Sequence, residues 1–172
     1  IFNAEPRVNY NRLMLSPVLS GEKTYEDIIT HGDDWYAKHK MTLHKGCKVD
    51  TIDREAKTVS SHHGLTIPYD FLVLATGSAA FVPPIPGVEK DGVFVYRTIE
   101  DLDLMQNHAQ NGNSQKAKKG AVIGGGLLGL EAANGLKLRG MDVTVVHLGP
   151  WLLERQLDEV AGKMLQKSLE DK

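Results

Sequence analysis

Residues 120–148 read GAVIGGGLLGLEAANGLKLRGMDVTVVHL: an apolar run, a glycine cluster, a helix-forming stretch and a second run rich in valine. Strand (120–124), glycine turn (124–129), helix (130–138) and strand (142–148), in that order within about 30 residues, form a βαβ unit of the kind that binds dinucleotides. Ala121-Val122-Ile123 is expected as a buried strand. Each glycine of the turn has a physical task. Gly124 permits the sharp bend from strand to helix. A side chain at Gly126 would hold a pyrophosphate off the backbone, and Gly129 lets helix and strand pack closely. The cofactor-binding residues expected here are Gly124, Gly126, Leu127, Leu128 and Gly129, where unpaired N–H groups meet the positive end of a helix. A turn made glycine-rich for packing alone is the competing reading.

About 20 residues past such a turn, a carboxylate at the end of the second strand binds the adenosine ribose of NAD. Here that place is held by His147. With no acid there, the 2′-phosphate of NADPH is not repelled, and His147 could hydrogen-bond it, more strongly when protonated. NADPH tolerance is therefore the expectation at His147. A neutral histidine bound to a ribose hydroxyl, or to nothing, is the alternative.

Outward from the unit, residues 152–169 read as an amphipathic helix and 110–119 (QNGNSQKAKK) as a solvated linker. Ile99 to His108 should be a helix opened by Glu100, Asp101 and Asp103, which suit a helix N-terminus. Pro83 to Gly87 is a stiff connector. Thr66 to Gly77 (TIPYDFLVLATG) ends in a continuous apolar run, the mark of a strand buried on both faces. Cys47 to Ser61 reads as a hairpin turning at Asp53 to Lys57, and 24–40 as one amphipathic helix. Residues 1–20 hold a short apolar fragment and then an irregular stretch.

The 172 residues carry 20 Lys plus Arg against 22 Asp plus Glu, for a net charge of −2, so no basic excess points to nucleic acid. At 41% hydrophobic and 24% charged, the chain is neither disordered nor fibrous. Its longest apolar stretches fall far short of the ~20 residues that span a bilayer. The single cysteine, Cys47, fits a reducing, cytoplasmic setting and reads as a buried or incidental thiol. The start at Ile1-Phe2-Asn3 reads as a segment of something longer. The seven histidines show no metal-ligand spacing, and His62 and His63, adjacent in a turn, should point apart. No metal site is expected.

Four stretches in order carry a family likeness: YNRLMLSPVLSGE at 10–22, ATG at 75–77, VYRTIEDL at 95–102 and GGGLLGLEAA at 124–133. This series resembles the FAD-dependent pyridine-nucleotide oxidoreductases. With RQLD at 155–158, it is similar more narrowly to the flavin portion of the assimilatory NAD(P)H nitrite reductases, large subunit. The resemblance implies an α/β fold made of parts of two Rossmann-like domains with a β-hairpin insertion. Residues 1–97 would be the later part of an FAD domain and 98–172 the first part of an NAD(P) domain. It further implies that Arg12 lies against the FAD pyrophosphate, that Glu5 binds the FAD ribose, and that Val49 offers its backbone to adenine. Ala75, Thr76 and Gly77 would approach the flavin, and Glu131 would be the carboxylate near the meeting point of nicotinamide and flavin. A basic residue often follows the Leu-Ser pair in such proteins; Pro17 stands there instead.

The implied activity is hydride transfer from NAD(P)H to FAD, then electron delivery to iron–sulfur and sirohaem centres that reduce nitrite to ammonia. Those centres would lie downstream of Lys172, in a further domain or an acceptor protein, with a small subunit as a possible partner. No cysteine falls in residues 1–46, so a thiol relay is not expected. A ferredoxin- or rubredoxin-type reductase is the enzymatic alternative, and a nucleotide-responsive binding module the non-enzymatic one.

Overall fold

The computed structural model describes residues 1–111 and 119–171. In chain order the elements are α1 (Leu15–Ser20), α2 (Asp33–Lys38), β1 (Val49–Asp53), β2 (Thr58–Ser61), β3 (Thr66–Pro68), α3 (Ile99–Asn111), β4 (Lys119–Ile123), α4 (Leu127–Leu138), β5 (Asp142–Val146) and α5 (Glu159–Glu170). They fall into two compact units, one built from Ile1–Asn11 with Ile28–Ser78, the other from Arg12–Asp27 with Ala79–Lys172.

The first unit holds an antiparallel sheet in the order β1-β2-β3. The expected hairpin is present. Val59, flanked on both sides in the ladder by Ile52 and Ile67, is its buried apolar residue. The turn closes because Asp53 Oδ1 accepts the N–H groups of Glu55 (2.9 Å) and Ala56 (2.8 Å), an Asx arrangement that replaces ladder bonds. A bulge between Val49 and Thr51 shifts the register, and Val49 still pairs with Ser61. Val8, Ile28 and Tyr36 complete the buried apolar set of this unit, with Ser61 also buried.

The helix expected over 24–40 is broken into a 3-10 turn (Glu26–Ile28) and α2. The backbone of Ile28 to Thr30 is taken by chain crossing it: Asn11 N–H donates to Ile28 O (2.8 Å), and Thr30 N–H to Asn9 O (3.1 Å). Tertiary pairing there overrides helical periodicity, and the helix restarts behind Gly32.

The strand expected over Thr66 to Gly77 is formed only as β3, and from Tyr69 to Pro83 no helix or strand is present. Far from being buried on both faces, Phe71 is 94% exposed and Val73 84% exposed. An apolar run becomes a strand only where neighbours take its N–H and C=O groups, and no described strand flanks this one.

The second unit is the βαβ element. β4 and β5 pair in parallel from Lys119↔Asp142 to Ile123↔Val146, joined through α4. The expected buried strand is corrected here: both strands alternate between half-buried and exposed residues. Val122, Val143 and Val145 face the covered side, while Ile123 and Val146 are exposed, because α4 covers one face of the two-stranded sheet.

α1, in a stretch read as irregular, forms because Pro17 sits in a first turn, where a missing N–H costs nothing. It packs on α4 at Gly135, where a Cβ would lie 2.8 Å from Leu19 Cγ. Arg139 donates from Nε to Leu19 O (2.7 Å), satisfying an end carbonyl of α1. α3 covers the length expected and more. Its start is a reciprocal cap: Thr98 Oγ1 accepts from Asp101 N–H (3.1 Å) while Asp101 Oδ2 accepts from Thr98 N–H (2.8 Å). Ile99 and Leu102 then bury fully. Most of the expected 110–119 linker lies outside the described residues.

The last helix begins at Glu159, seven residues later than its apolar pattern suggests. Asp158 caps it by accepting Ala161 N–H at 2.9 Å. The preceding Trp151–Leu157 segment is a turn in which Leu153 adopts φ 56°, a backbone no helix can hold.

Candidate functional site

The turn from β4 to α4 shows why four glycines stand together. Gly124 has φ 122°, open to glycine alone, and its N–H donates to Val146 O at 2.8 Å, tying the turn to β5. A Cβ on Gly125 would lie 2.6 Å from Leu152 and 2.8 Å from His147. One on Gly129 would lie 1.9 Å from Gly124 O, so the close helix–strand approach expected there is real. Gly126 differs. Its φ is −85°, a Cβ there would meet nothing within 4 Å, and it precedes α4 as its cap. The fold explains three of the four glycines, and space outside the fold explains the fourth.

Leu127, Leu128 and Gly129 open α4, ahead of its first backbone bond from Leu130 N–H to Gly126 O (3.0 Å). Amides in that position point outward along the helix axis without an intrahelical acceptor. The exposed side chains of Leu127 and Leu128 flank them. The result is a set of N–H groups at the positive end of a 12-residue helix, which suits an anion.

His147 follows β5 as expected, but its ring turns inward. Gly125 N–H donates to its Nδ1 at 3.0 Å, so the ring proton sits on Nε2. Nε2 faces Trp151 O (3.0 Å) and Glu154 Oε2 (2.9 Å). Glu154, which the sequence reading missed, is brought there by the 148–157 turn, pinned where Leu153 N–H donates to Gly125 O at 3.0 Å. Its own backbone N–H holds the Glu154 carboxyl below the usual carboxylate range; partial burial opposes this, and the hydrogen bond and charge of His147, then the charge of Arg155, reinforce it.

Glu131, on the exposed side of α4, accepts a hydrogen bond from Ser16 Oγ at 2.7 Å. Ser16 Oγ lies 2.9 Å from Tyr96 Oη. A Tyr96–Ser16–Glu131 chain therefore supports the carboxylate where no basic residue follows Ser16. Burial pushes the Tyr96 hydroxyl above its ordinary pKa, and the charge of Glu131 adds to this, against the hydrogen bond with Ser16. Arg12, in the same unit, donates from Nη1 to Arg97 O at 2.6 Å.

In the other unit, Glu5 accepts from Tyr10 Oη at 2.6 Å, a partner the sequence did not reveal. Val49 begins β1. Ala75, Thr76 and Gly77 are exposed, and Gly77 has φ 67° with open space around a would-be Cβ. Cys47 is a half-buried free thiol. No group of three or more His, Cys, Asp or Glu that could hold a metal occurs among the described residues. His62 and His63 do not diverge; their rings lie 3.7 Å apart, tilted by 38°. No helix among the described residues is long and apolar enough to cross a membrane.

Comparison with known proteins gives these parts a setting. The chain is 51% identical over 170 residues to a nitrite reductase [NAD(P)H] of Bacillus subtilis, covering 99% of this chain and 20% of that protein. It is 47% identical over 172 residues to the assimilatory nitrate reductase electron transfer subunit of the same organism, covering 100% and 22%. Among solved structures, NADH:rubredoxin oxidoreductase from Clostridium acetobutylicum matches with a TM-score of 0.87 at 28% identity, over 99% of this chain and 43% of that one. The chain thus spans about a fifth of the length of the curated relatives it matches. The family model for pyridine nucleotide-disulphide oxidoreductases matches residues 1–172, and the chain belongs to that family.

Proposed function

We propose that this chain is the flavin portion of an assimilatory NAD(P)H nitrite reductase large subunit, acting in the cytoplasm. Gly126 carries the reading: a glycine with ordinary φ and empty space beside it has no role in packing, and a pyrophosphate seated on the adjoining amides requires its bareness. The resemblance of the chain to nitrite reductases over nearly its whole length supports the choice of acceptor.

When bound, FAD supplies the acceptor for the nicotinamide hydride and passes electrons onward. The protein's share is binding and electrostatics. Gly124, Gly126, Leu127, Leu128 and Gly129 hold the dinucleotide pyrophosphate. Glu131, kept in place by Ser16, presents a fixed negative charge near the nicotinamide. Arg12 offsets the FAD phosphates with a cation, Glu5 accepts from its ribose hydroxyls, Val49 offers its backbone to the adenine, and Ala75, Thr76 and Gly77 let the flavin approach the main chain. Residues 1–97 and 98–172 are taken as parts of the FAD and NAD(P) modules. The electron acceptor in this reading is an iron–sulfur and sirohaem centre held outside residues 1–172, with a small subunit as a further partner and no nucleic acid or membrane.

The test is Gly126→Ala. Stability should fall by about 1 kcal/mol or less, the cost of alanine at a helix cap. Binding of NAD⁺ or NADP⁺ to the FAD-loaded full-length protein, followed by calorimetry, should weaken at least tenfold. Unchanged binding would remove the reading. A ferredoxin- or rubredoxin-type reductase is the second reading, favoured by the likeness to NADH:rubredoxin oxidoreductase. Nitrite-dependent NAD(P)H oxidation by the full-length protein separates the two.

A further inference from the structure

We propose that Glu154, presented by His147, is the carboxylate that selects NADH over NADPH at this turn. The inference rests on the nucleotide-binding role proposed for Gly124 to Gly129, and concerns which nucleotide that site takes. A dinucleotide with its pyrophosphate on this turn brings its adenosine ribose to the end of the second strand, which is β5. The residue there is His147, and both its ring nitrogens are engaged. Nδ1 accepts from Gly125 N–H, and Nε2–H faces Trp151 O and Glu154 Oε2. A ring held in this way has both nitrogens already engaged and none turned to a phosphate, and its side chain is only 16% exposed.

The open group is Glu154, with its side chain 34% exposed. The 148–154 loop folds back over the strand end so closely that a Cβ on Gly149 would lie 2.6 Å from His147 Nε2 and 3.1 Å from Glu154 Cδ. A carboxylate seven positions along the chain thereby stands in space where the strand-end acid would stand in sequence. It can accept from ribose hydroxyls, and it repels a 2′-phosphate. Glu154, like any exposed glutamate, is ionised at neutral pH. Arg155 is the neighbouring charge of opposite sign, yet its effect on Glu154 is the smallest of those that lower the carboxyl. The NADPH tolerance expected from His147 alone is reversed once its partner is known.

Dissociation constants for NAD⁺ and NADP⁺, measured by calorimetry on the FAD-loaded full-length protein, test this without relying on turnover. The unaltered protein should bind NAD⁺ at least tenfold more tightly than NADP⁺. Glu154→Gln should tighten NADP⁺ binding by roughly tenfold, with a far smaller effect on NAD⁺, and Glu154→Lys should do so more strongly, as like-charge contact is exchanged for attraction. Because Glu154 lies at the surface, both variants should fold, and a thermal melt confirms it. An unchanged NAD⁺/NADP⁺ ratio in both variants would overturn the inference and leave the nucleotide site standing. So would a preference of the unaltered protein for NADP⁺. Binding of neither nucleotide at millimolar levels would overturn the inference together with the proposed function.

Discussion

Residues 66–83 and residues 119–146 contain much the same ingredients: a run of Val, Leu or Ile and then a glycine with positive φ, Gly77 at 67° and Gly124 at 122°. In the second region every residue of β4 has a partner in β5, a helix lies over one face, and the glycine amide is bonded to Val146 O. In the first, the ladder stops at Pro68 and the apolar residues that follow are exposed. The chemistry of the two runs is alike; the supply of neighbours is not. In the second region, 23 residues after β4 begins, the chain returns its own parallel partner through a right-sized crossover. Gly129 in the closed region is fixed by the atoms around it, and Gly77 in the open region only by its own backbone.

Gly129→Ala should break the closed region most severely. The new Cβ would sit 1.9 Å from Gly124 O, a backbone atom that cannot swing aside. We expect a loss of about 3 kcal/mol, at the upper end of overpacking costs, read as a lower urea midpoint by circular dichroism. A loss under 1 kcal/mol would show that Gly124 O leaves room for a Cβ at position 129.

Ser16→Ala probes support for a side chain in the closed region. It removes the donor to Glu131 Oε2 and the partner of Tyr96 Oη together. Hydrogen bonds to charged groups contribute about 1.5–3 kcal/mol, and exposure of Glu131 reduces this to about 1 kcal/mol, roughly fivefold in the rate of flavin reduction by NADH in the full-length protein. Tyr96→Phe should have a smaller effect on that rate and a distinct signature at high pH. The folded-state pKa of Tyr96 is raised above the ordinary value of 10.0, so its contribution to stability is present below that pH and lost as pH rises through the folded value. Phenylalanine at 96 should flatten that alkaline decline. An identical decline in both proteins would assign it to other groups.

Gly77→Ala is the counterpart of Gly129→Ala in the open region. Nothing lies within 4 Å of the added Cβ, so only the left-handed backbone opposes it. About 1 kcal/mol is expected, a third of the loss at Gly129, measured by the same urea titration. Equal losses at the two positions would erase the distinction drawn between them.

What the sequence could show follows the same division. The glycine turn was legible because its spacing encodes contacts made within a few residues: Gly129 on Gly124, and the amides of 127–129 at a helix start. The cap at Thr98 and Asp101 was partly legible for that reason, since acids at a helix start are a local signal. Glu154 was not legible. Its place beside His147 depends on Leu153 adopting φ 56° and donating to Gly125 O, and no periodicity announces either. Ser16 was visible only as part of a resemblance; that its hydroxyl reaches Glu131, 115 positions away, is a property of α1 packing on α4 at Gly135. The apolar run at 71–75 signals a need for burial without saying what provides it. The helix over 24–40 failed on the same ground, because its periodicity was outweighed by chain pairing from Asn9 to Asn11.

The smallest effect is expected where the sequence signal was among the strongest. Phe71, 94% exposed, should tolerate Phe71→Asp in this chain with a stability change under about 0.5 kcal/mol. Val145→Asp, which places a carboxylate on the half-covered face of β5, should cost about 2 kcal/mol, because a polar group shielded there loses water without gaining a partner. The pair is informative as a difference. Both substitutions put the same charge into a run of aliphatic residues of similar hydropathy, so composition alone predicts equal losses. Neighbour supply predicts unequal ones. If Phe71→Asp proves as damaging as Val145→Asp, the 69–83 segment is covered in solution by atoms that leave it bare here, and burial in the two regions would then follow from their sequences alone.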